Sequence, residues 1–245
     1  MQKKYKKEKG NEKESGKKYN LRKEGSFSFV PEFLETETVY TVKVKAVVQG
    51  KESEWGEEIE FTTPEFSECC AWKECPDCVA EDRRYSVEEE NPRVATNNGD
   101  HCTIIGNTPL PLNKVTSWNI KILNSEGNDG RGIYIGVAPF DIDQNEDYNH
   151  EKCGWYFYCY GSTLRSGPPH SYEYPGKEYG PRKEDGEYVH TGDSVGVVMD
   201  TTKGELSFAL DGVSLGVAYD GIPLDKPLVP CVLLGWGGDS VELII

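Results

Sequence analysis

No stretch of the 245-residue chain is apolar over the ~18 residues that a membrane-spanning helix needs. The N-terminus has no apolar run of the kind that marks a secretory signal, and no Asn-x-Ser/Thr acceptor occurs anywhere. Histidine is scarce: His101, His150, His170 and His190 lie in separate segments, none in a catalytic motif. There is no phosphate-binding loop and no repeat with a period of about 20–50 residues. These absences exclude a membrane-spanning helix and leave the histidines without a catalytic motif. The expectation is a non-enzyme with no catalytic residue and no cofactor.

What is present is charge, glycine and cysteine. The formal net charge is −15, but the first 25 residues hold ten Lys/Arg against four Glu. That leaves 17 basic against 38 acidic residues in 26–245, a net of −21. An acidic body of this kind repels nucleic acid and anionic lipid, so neither is an expected partner. Eight cysteines without a secretory signal predict free thiols in a reducing compartment, hence a cytoplasmic protein. The 26 glycines and 14 prolines suit many turns and few long helices.

Residues 1–25 carry almost nothing apolar and predict a disordered basic leader, because they cannot bury enough surface to offset their ordering entropy. In 26–64, Phe27, Phe29 and Phe33 open a possible strand. Tyr40, Val42, Val44 and Ala46 then alternate, a turn falls at Gln49-Gly50, and a second strand ends near Phe61-Thr62-Thr63-Pro64.

From residue 65 onward, short strands separated by Gly/Pro turns recur along the chain, the all-β pattern. They fall at Arg84–Val87, Arg93–Thr96, His101–Ile105, Trp118–Ile122, Ile133–Val137 and Gly154–Tyr158, followed by a long loop over 166–187. A three-strand meander occupies Gly192–Tyr219. Val195/Val197/Met199, Leu206/Phe208/Leu210 and Val213/Leu215/Val217 each alternate with small or polar residues, so each run predicts one buried face. Asp211-Gly212, between the last two runs, is a strong hairpin signal. Strands at Pro227–Leu234 and Ser240–Ile245 close the chain. The meander needs a second sheet over its apolar face, and the fold class expected is an all-β antiparallel sandwich.

These residues carry two resemblances. Trp118-x-Ile120-x-Ile122, Gly132-x-Tyr134-Ile135-Gly136-Val137-Ala138, Gly154-Trp155 and Gly192-Asp193-x-Val195-Gly196-Val197-x-Met199-Asp200 are similar, in order, to the SPRY domain. So are Gly204-x-Leu206-Ser207-Phe208, Asp211-Gly212-x-x-Leu215-Gly216-Val217-Ala218-Tyr219 and Pro227-Leu228-x-Pro230-x-Val232. The family usually has Asn-Gly where this chain has Asp211-Gly212, and both suit the same turn. The spacing from Leu34 through Tyr40, Trp55 and Phe61 to Pro64 resembles the last strands of a fibronectin type III domain, with Tyr40 as its tyrosine corner. The organisation expected is a disordered leader (1–25), a partial fibronectin type III segment (26–64) and a SPRY domain (65–245). The order also resembles the C-terminal arrangement of some tripartite-motif ubiquitin ligases. Their RING, B-box and coiled coil have no counterpart here, so no ligase activity is carried over.

The SPRY resemblance implies a bent, concanavalin-type sandwich that binds a protein or peptide through its loops, as an intracellular adaptor or scaffold. In SPRY proteins that carry a SOCS box, a Val-Trp-Gly element lines a peptide pocket. Here Gly235-Trp236-Gly237 matches at Trp236 and Gly237 only. Arg93 and Thr96 in the early loop and Tyr148 in the middle loop match more loosely. The partner-binding residues expected are Trp236, Gly237, Arg93, Thr96 and Tyr148. The alternative is a lectin-like sandwich that binds carbohydrate, with Tyr172, Tyr174, Tyr179 and Tyr188 available to stack on sugars or anchor a peptide.

Two metal patterns fall short. Asp141-x-Asp143-x-Asn145-x-Asp147 opens like an EF-hand loop, but Glu146 stands where glycine is needed and Lys152 where a bidentate Glu is needed. Cys75-x-x-Cys78, with Cys69, Cys70, His101 and Cys102 as further donors, lacks a second pair at zinc spacing. No metal is expected.

Overall fold

Alternation and turn chemistry pair the chain into antiparallel strands in the computed structural model of the protein. It describes residues 2–7, 12–13, 39–45, 47–48, 51–54, 56–62, 65–74, 84–99, 101–125, 130–142, 144, 154–166, 177–180 and 189–245. Two units are distinguished, Met1–Glu68 and Cys69–Ile245. Among the described residues no helix is long and apolar enough to cross a membrane.

The first unit contains β1 (Gln2–Lys7), β2 (Glu12–Lys13), β3 (Val39–Lys45), β4 (Val47–Val48), β5 (Lys51–Glu52) and β6 (Ile59–Thr62). Four of them form a sheet in the order β2-β1-β3-β6, and β4 pairs with β5, Val48 opposite Lys51; the expected turn residues Gln49 and Gly50 lie outside the described residues. Tyr40 pairs with Phe61, and their rings stack with centroids 6.0 Å apart. Two short strands, β1 and β2, fall within the leader. Its β1 lies in register with β3, Tyr5 opposite Val42. Ladder bonds join backbone groups, so a segment poor in apolar side chains still pairs when a neighbouring strand offers an edge. Phe27, Phe29, Phe33 and Trp55 lie outside the described residues.

A single helical turn, α1 (Phe66–Cys69), precedes the strands of the second unit. These are β7 (Tyr85–Val87), β8 (Val94–Asn97), β9 (Cys102–Ile105), β10 (Val115–Asn124), β11 (Tyr134–Pro139), β12 (Trp155–Tyr158) and β13 (Thr163–Ser166). After them come β14 (Lys177–Glu178), β15 (Ser194–Asp200), β16 (Glu205–Leu210), β17 (Val213–Tyr219), β18 (Leu228–Leu234) and β19 (Ser240–Ile244). A seven-stranded sheet runs β17-β16-β15-β10-β19-β8-β7, and a six-stranded sheet runs β14-β13-β12-β11-β18-β9. The expected antiparallel β-sandwich is what forms. β14 falls inside the segment expected to be loop, and most of 166–187 lies outside the described residues.

Cross-strand partners define the inner faces. On the seven-stranded sheet Trp118 lies opposite Val197, Val197 opposite Phe208, and Ile120 opposite both Val195 and Leu243. On the six-stranded sheet Ile135 lies opposite Phe157 and Val232, and Val232 opposite Ile104. All are buried, and the Phe157 and Phe208 rings meet between the sheets at 5.6 Å. The six-stranded sheet is buried on its other face as well, where Ile105, Tyr134, Tyr156, Val229, Cys231 and Leu233 cluster. That second buried face explains why β18 reads as an unbroken apolar run rather than an alternating one.

The meander forms as expected, with one correction. Asp211 and Gly212 both take positive φ (49° and 76°), the two-residue turn that matches strand twist. The face of β17 expected to be buried is not: Val213 is 67% exposed and Val217 54%. β17 ends the sheet, its register shifts against β16, and Gly216 sits at φ 85°. The shift leaves Val217 opposite Ser207 and sets Tyr219 opposite the buried Leu206, with its hydroxyl 2.7 Å from the Arg165 carbonyl of the other sheet.

Candidate functional site

The loop Gly235–Asp239 joins β18 to β19 at one end of the sandwich, and its conformation is held by hydrogen bonds. Asp239 is fully buried. Its Oδ2 accepts from the Trp236 N–H (3.0 Å), and its own N–H donates to the Trp236 carbonyl (3.1 Å). Asn97, at the end of β8, fixes the loop to the sheet. Its N–H donates to the Asp239 carbonyl (2.8 Å), its carbonyl accepts from Gly238 (2.8 Å), and its Nδ2 donates to Leu234 (3.1 Å). Asn124 Nδ2 donates to the Gly238 carbonyl (2.7 Å). Buried polar groups satisfied in this way give one defined geometry.

The loop presents Trp236, 43% exposed. The indole lies against Gly132, where an added Cβ would come within 3.1 Å of Nε1, and meets the His101 ring edge-on at 5.8 Å. His101 Nδ1 lies 2.6 Å from the Gly235 carbonyl. A carbonyl only accepts, so Nδ1 carries the hydrogen and fixes the ring against the indole. The glycines flanking Trp236 are required by close approach. A Cβ on Gly235 would fall 2.9 Å from Gly132 Cα, and one on Gly237 would fall 3.3 Å from the Gly99 carbonyl oxygen.

Beside Gly132, the exposed Arg131 places its guanidinium 4.8 Å from the centre of the Tyr160 ring. Tyr160 packs on Tyr158 at 6.2 Å, and Tyr158 stacks on Tyr134 at 4.4 Å. Burial, and secondarily Tyr134, pushes the Tyr158 hydroxyl above its ordinary range, so it stays neutral and can donate. Register puts this group at the Trp236 end, because Tyr134 pairs with both Tyr158 and Leu233. The result is a platform of aromatic rings with one guanidinium.

The SPRY domain model matches residues 115–245, a little over half of the sequence. The chain belongs to the SPRY family. The SPRY domain of human HERC1 is similar at 18% identity over 73% of this chain and 95% of that one, with a TM-score of 0.50. A second human SPRY domain is similar at 16% identity over 66% of this chain and 95% of that one, TM-score 0.50. At such identities the likeness shows the fold. No curated protein matches the chain by sequence. SPRY domains are a family of protein-interaction modules, and generally not enzymes.

Within this SPRY domain the residues expected to bind a partner do not all meet. Trp236 and Gly237 stand together at the locked loop. Thr96 is one position from Asn97, and it shares with its partner Ser240 the face turned away from the sandwich interior. Arg93 is at the far end of β8. Its carbonyl accepts from Leu243 and its Nε donates to the Cys70 carbonyl (3.2 Å), so it does not join Trp236. Tyr148 lies outside the described residues, as do Tyr172, Tyr174 and Tyr188. Tyr179 is structural rather than an anchor: its hydroxyl donates to the Gly216 carbonyl (2.6 Å) and accepts from Phe208 N–H (3.2 Å).

Only part of each metal pattern falls among the described residues. Asp141 pairs with Lys226 at 2.9 Å, and Asp143, Asn145 and Asp147 lie outside the described residues. Cys75 and Cys78 also lie outside them. Burial, then the adjoining Cys69, pushes the Cys70 thiol up to about 12, away from the thiolate a metal needs. Among the described residues no three metal-ligating side chains gather. The described cysteines, Cys69, Cys70, Cys102, Cys159 and Cys231, are thiols rather than disulfides.

Sequence reading passed over Asn97, Asp239, Arg131 and Tyr160, and treated His101 only as a zinc donor. The glycines at 130, 132, 235 and 237 were the available signal, since clustered glycines accompany close backbone approach.

Proposed function

We propose that this SPRY protein is a non-catalytic adaptor or scaffold that captures a protein or peptide partner through the loop end built around Trp236 and Gly237. One observation carries the reading: a tryptophan nearly half exposed on a loop whose own polar groups are satisfied. Most tryptophans lose their surface to the core. One held out on a preorganised loop offers a large contact area at little entropic cost. Arg131 and Tyr160 extend the contact surface, with Thr96 at its margin. Arg93 and Tyr148 belong to the proposal only if the partner is long enough to pass over more than one loop.

The wider reading goes with it. Residues 65–114 complete the SPRY domain N-terminal to the family match, and Tyr40 with Phe61 belongs to a fibronectin type III remnant over 26–64. The protein acts in the cytoplasm without binding nucleic acid or membrane, in keeping with its acidic body and thiols.

The test is peptide-display selection against the full chain, followed by binding of a selected peptide to Trp236→Ala and Trp236→Phe. Trp236→Ala should weaken binding at least roughly tenfold, as hot-spot truncation does. Trp236→Phe should retain part of it, and both variants should keep the parent melting temperature to within a few degrees. Undiminished binding by Trp236→Ala overturns the reading. So does selective binding on a glycan array with no peptide selected, which would favour the lectin-like alternative.

A further inference from the structure

A second surface lies at the other end of the sandwich. Strand register sets its place: Cys102 pairs with Leu234, next to the Trp236 loop, whereas Ile105 pairs with Cys231 and Gly106 N–H donates to the Pro230 carbonyl. Beyond Gly106 a cleft of about 510 Å³ opens, walled by Val87, Pro92, Glu74, Glu88 and Glu89, with Trp72 on its floor. Lys73 and Asn107 complete the lining.

The floor is a built structure. Trp72 N–H donates to the Pro92 carbonyl (2.9 Å), Lys73 N–H to Ile105 (2.8 Å), and Asn107 N–H to Ala71 (2.9 Å). Ala71 N–H returns a bond to Asn107 Oδ1 (3.0 Å). These bonds tie the segment before β7 to the β7–β8 turn and to the end of β9. Trp72 is only 2% exposed, and its indole N–H has no hydrogen-bond partner among the described residues.

The charge is one-sided. Glu74, Glu88 and Glu89 are exposed around the cleft. The one cation of the lining, Lys73, holds its Nζ 4.8 Å from the centre of the Phe140 ring. Val87 and Pro92 between the carboxylates give an aliphatic stem something to lie on.

We propose that this cleft is a second interaction site, separate from the Trp236 loop, and that it takes an arginine-bearing peptide segment. The arginine stem lies along Val87 and Pro92, its guanidinium pairs with the Glu88 and Glu89 carboxylates, and Glu74 adds field. The site stands or falls independently of the Trp236 reading.

The experiment uses the full chain and a labelled Ala-Arg-Ala-Arg-Ala peptide, read by fluorescence anisotropy at low salt. The Glu-for-Arg version of the peptide serves as control. The arginine peptide should bind saturably, the glutamate peptide should not, and added salt should weaken binding. Glu88→Gln with Glu89→Gln should raise Kd about fivefold, the scale of two exposed ion pairs. Asp211→Asn with Asp220→Asn removes the same charge elsewhere and should raise Kd by less than about twofold. Absence of saturable binding, or equal weakening by both pairs, overturns the proposal. A loss of arginine-peptide binding in Trp236→Ala that the Glu88/Glu89 pair does not share moves the site to the other loop end and overturns it too.

Discussion

β16 and β17 are neighbours with the same sequence pattern and opposite fates. Leu206, Phe208 and Leu210 alternate in one, Val213, Leu215 and Val217 in the other. Leu206 and Phe208 are buried, whereas Val213 and Val217 stand in solvent. β16 has a paired strand on each side. β17 ends the sheet, and its register slips past Ser207 with Gly216 in the left-handed region. Alternation shows that a strand has two chemically different faces. Which face is covered depends on the register and on whether anything packs above it.

Substitutions can break or sharpen that contrast. The largest effect should come from Phe208→Ala, because its ring fills the space between the sheets against Phe157 and Tyr179. Urea unfolding should show a loss of about 3–5 kcal/mol. Gly216→Ala should cost about 1 kcal/mol, since a Cβ meets nothing there but the φ of 85° remains strained for any L side chain. If Gly216→Ala proves neutral, the bulge has relaxed and the account of β17 fails. Val213→Thr and Val217→Thr should each stay within about 0.5 kcal/mol of the parent. A core-sized cost at either would show that the β17 valines are covered after all.

The smallest effect concerns the turn that starts β16. Thr202 donates its hydroxyl and its N–H to Asp200, and with Lys203 these bonds hold the Asp200 carboxyl below the ordinary carboxylate range. A lowered folded-state pKa means that the carboxylate's contribution is present above the ordinary carboxylate pKa of 3.8 and is lost as pH falls through the folded value. Asp200→Asn should therefore leave a slightly flatter fall in melting temperature below about pH 4. An unchanged acid limb would show that the turn bonds do not favour the charged form.

Much of the sandwich was legible because its signals are local. The alternation over Trp118–Ile122 and Val195–Met199, and the Asp211-Gly212 turn, each depend on a few consecutive residues. The site was less legible. Trp236 and Gly237 could be singled out, but of the partners that hold them only Asp239 is near in the chain; Asn97 and His101 flank the β8–β9 connection and Gly132 lies between β10 and β11. Arg93 shows the converse: three residues from Thr96, it lies toward the opposite end of β8.

The sequence by itself determined the strands, the turns between them and the all-β class, since backbone preference and two-residue periodicity act within a segment. The tertiary structure alone decided that β17 turns its valines outward and that Trp236 is held out while Trp118 is buried. It alone also put the Glu88/Glu89 cleft at the end opposite the Trp236 loop. Those outcomes rest on register and coverage between segments distant in the chain, and no local pattern encodes them.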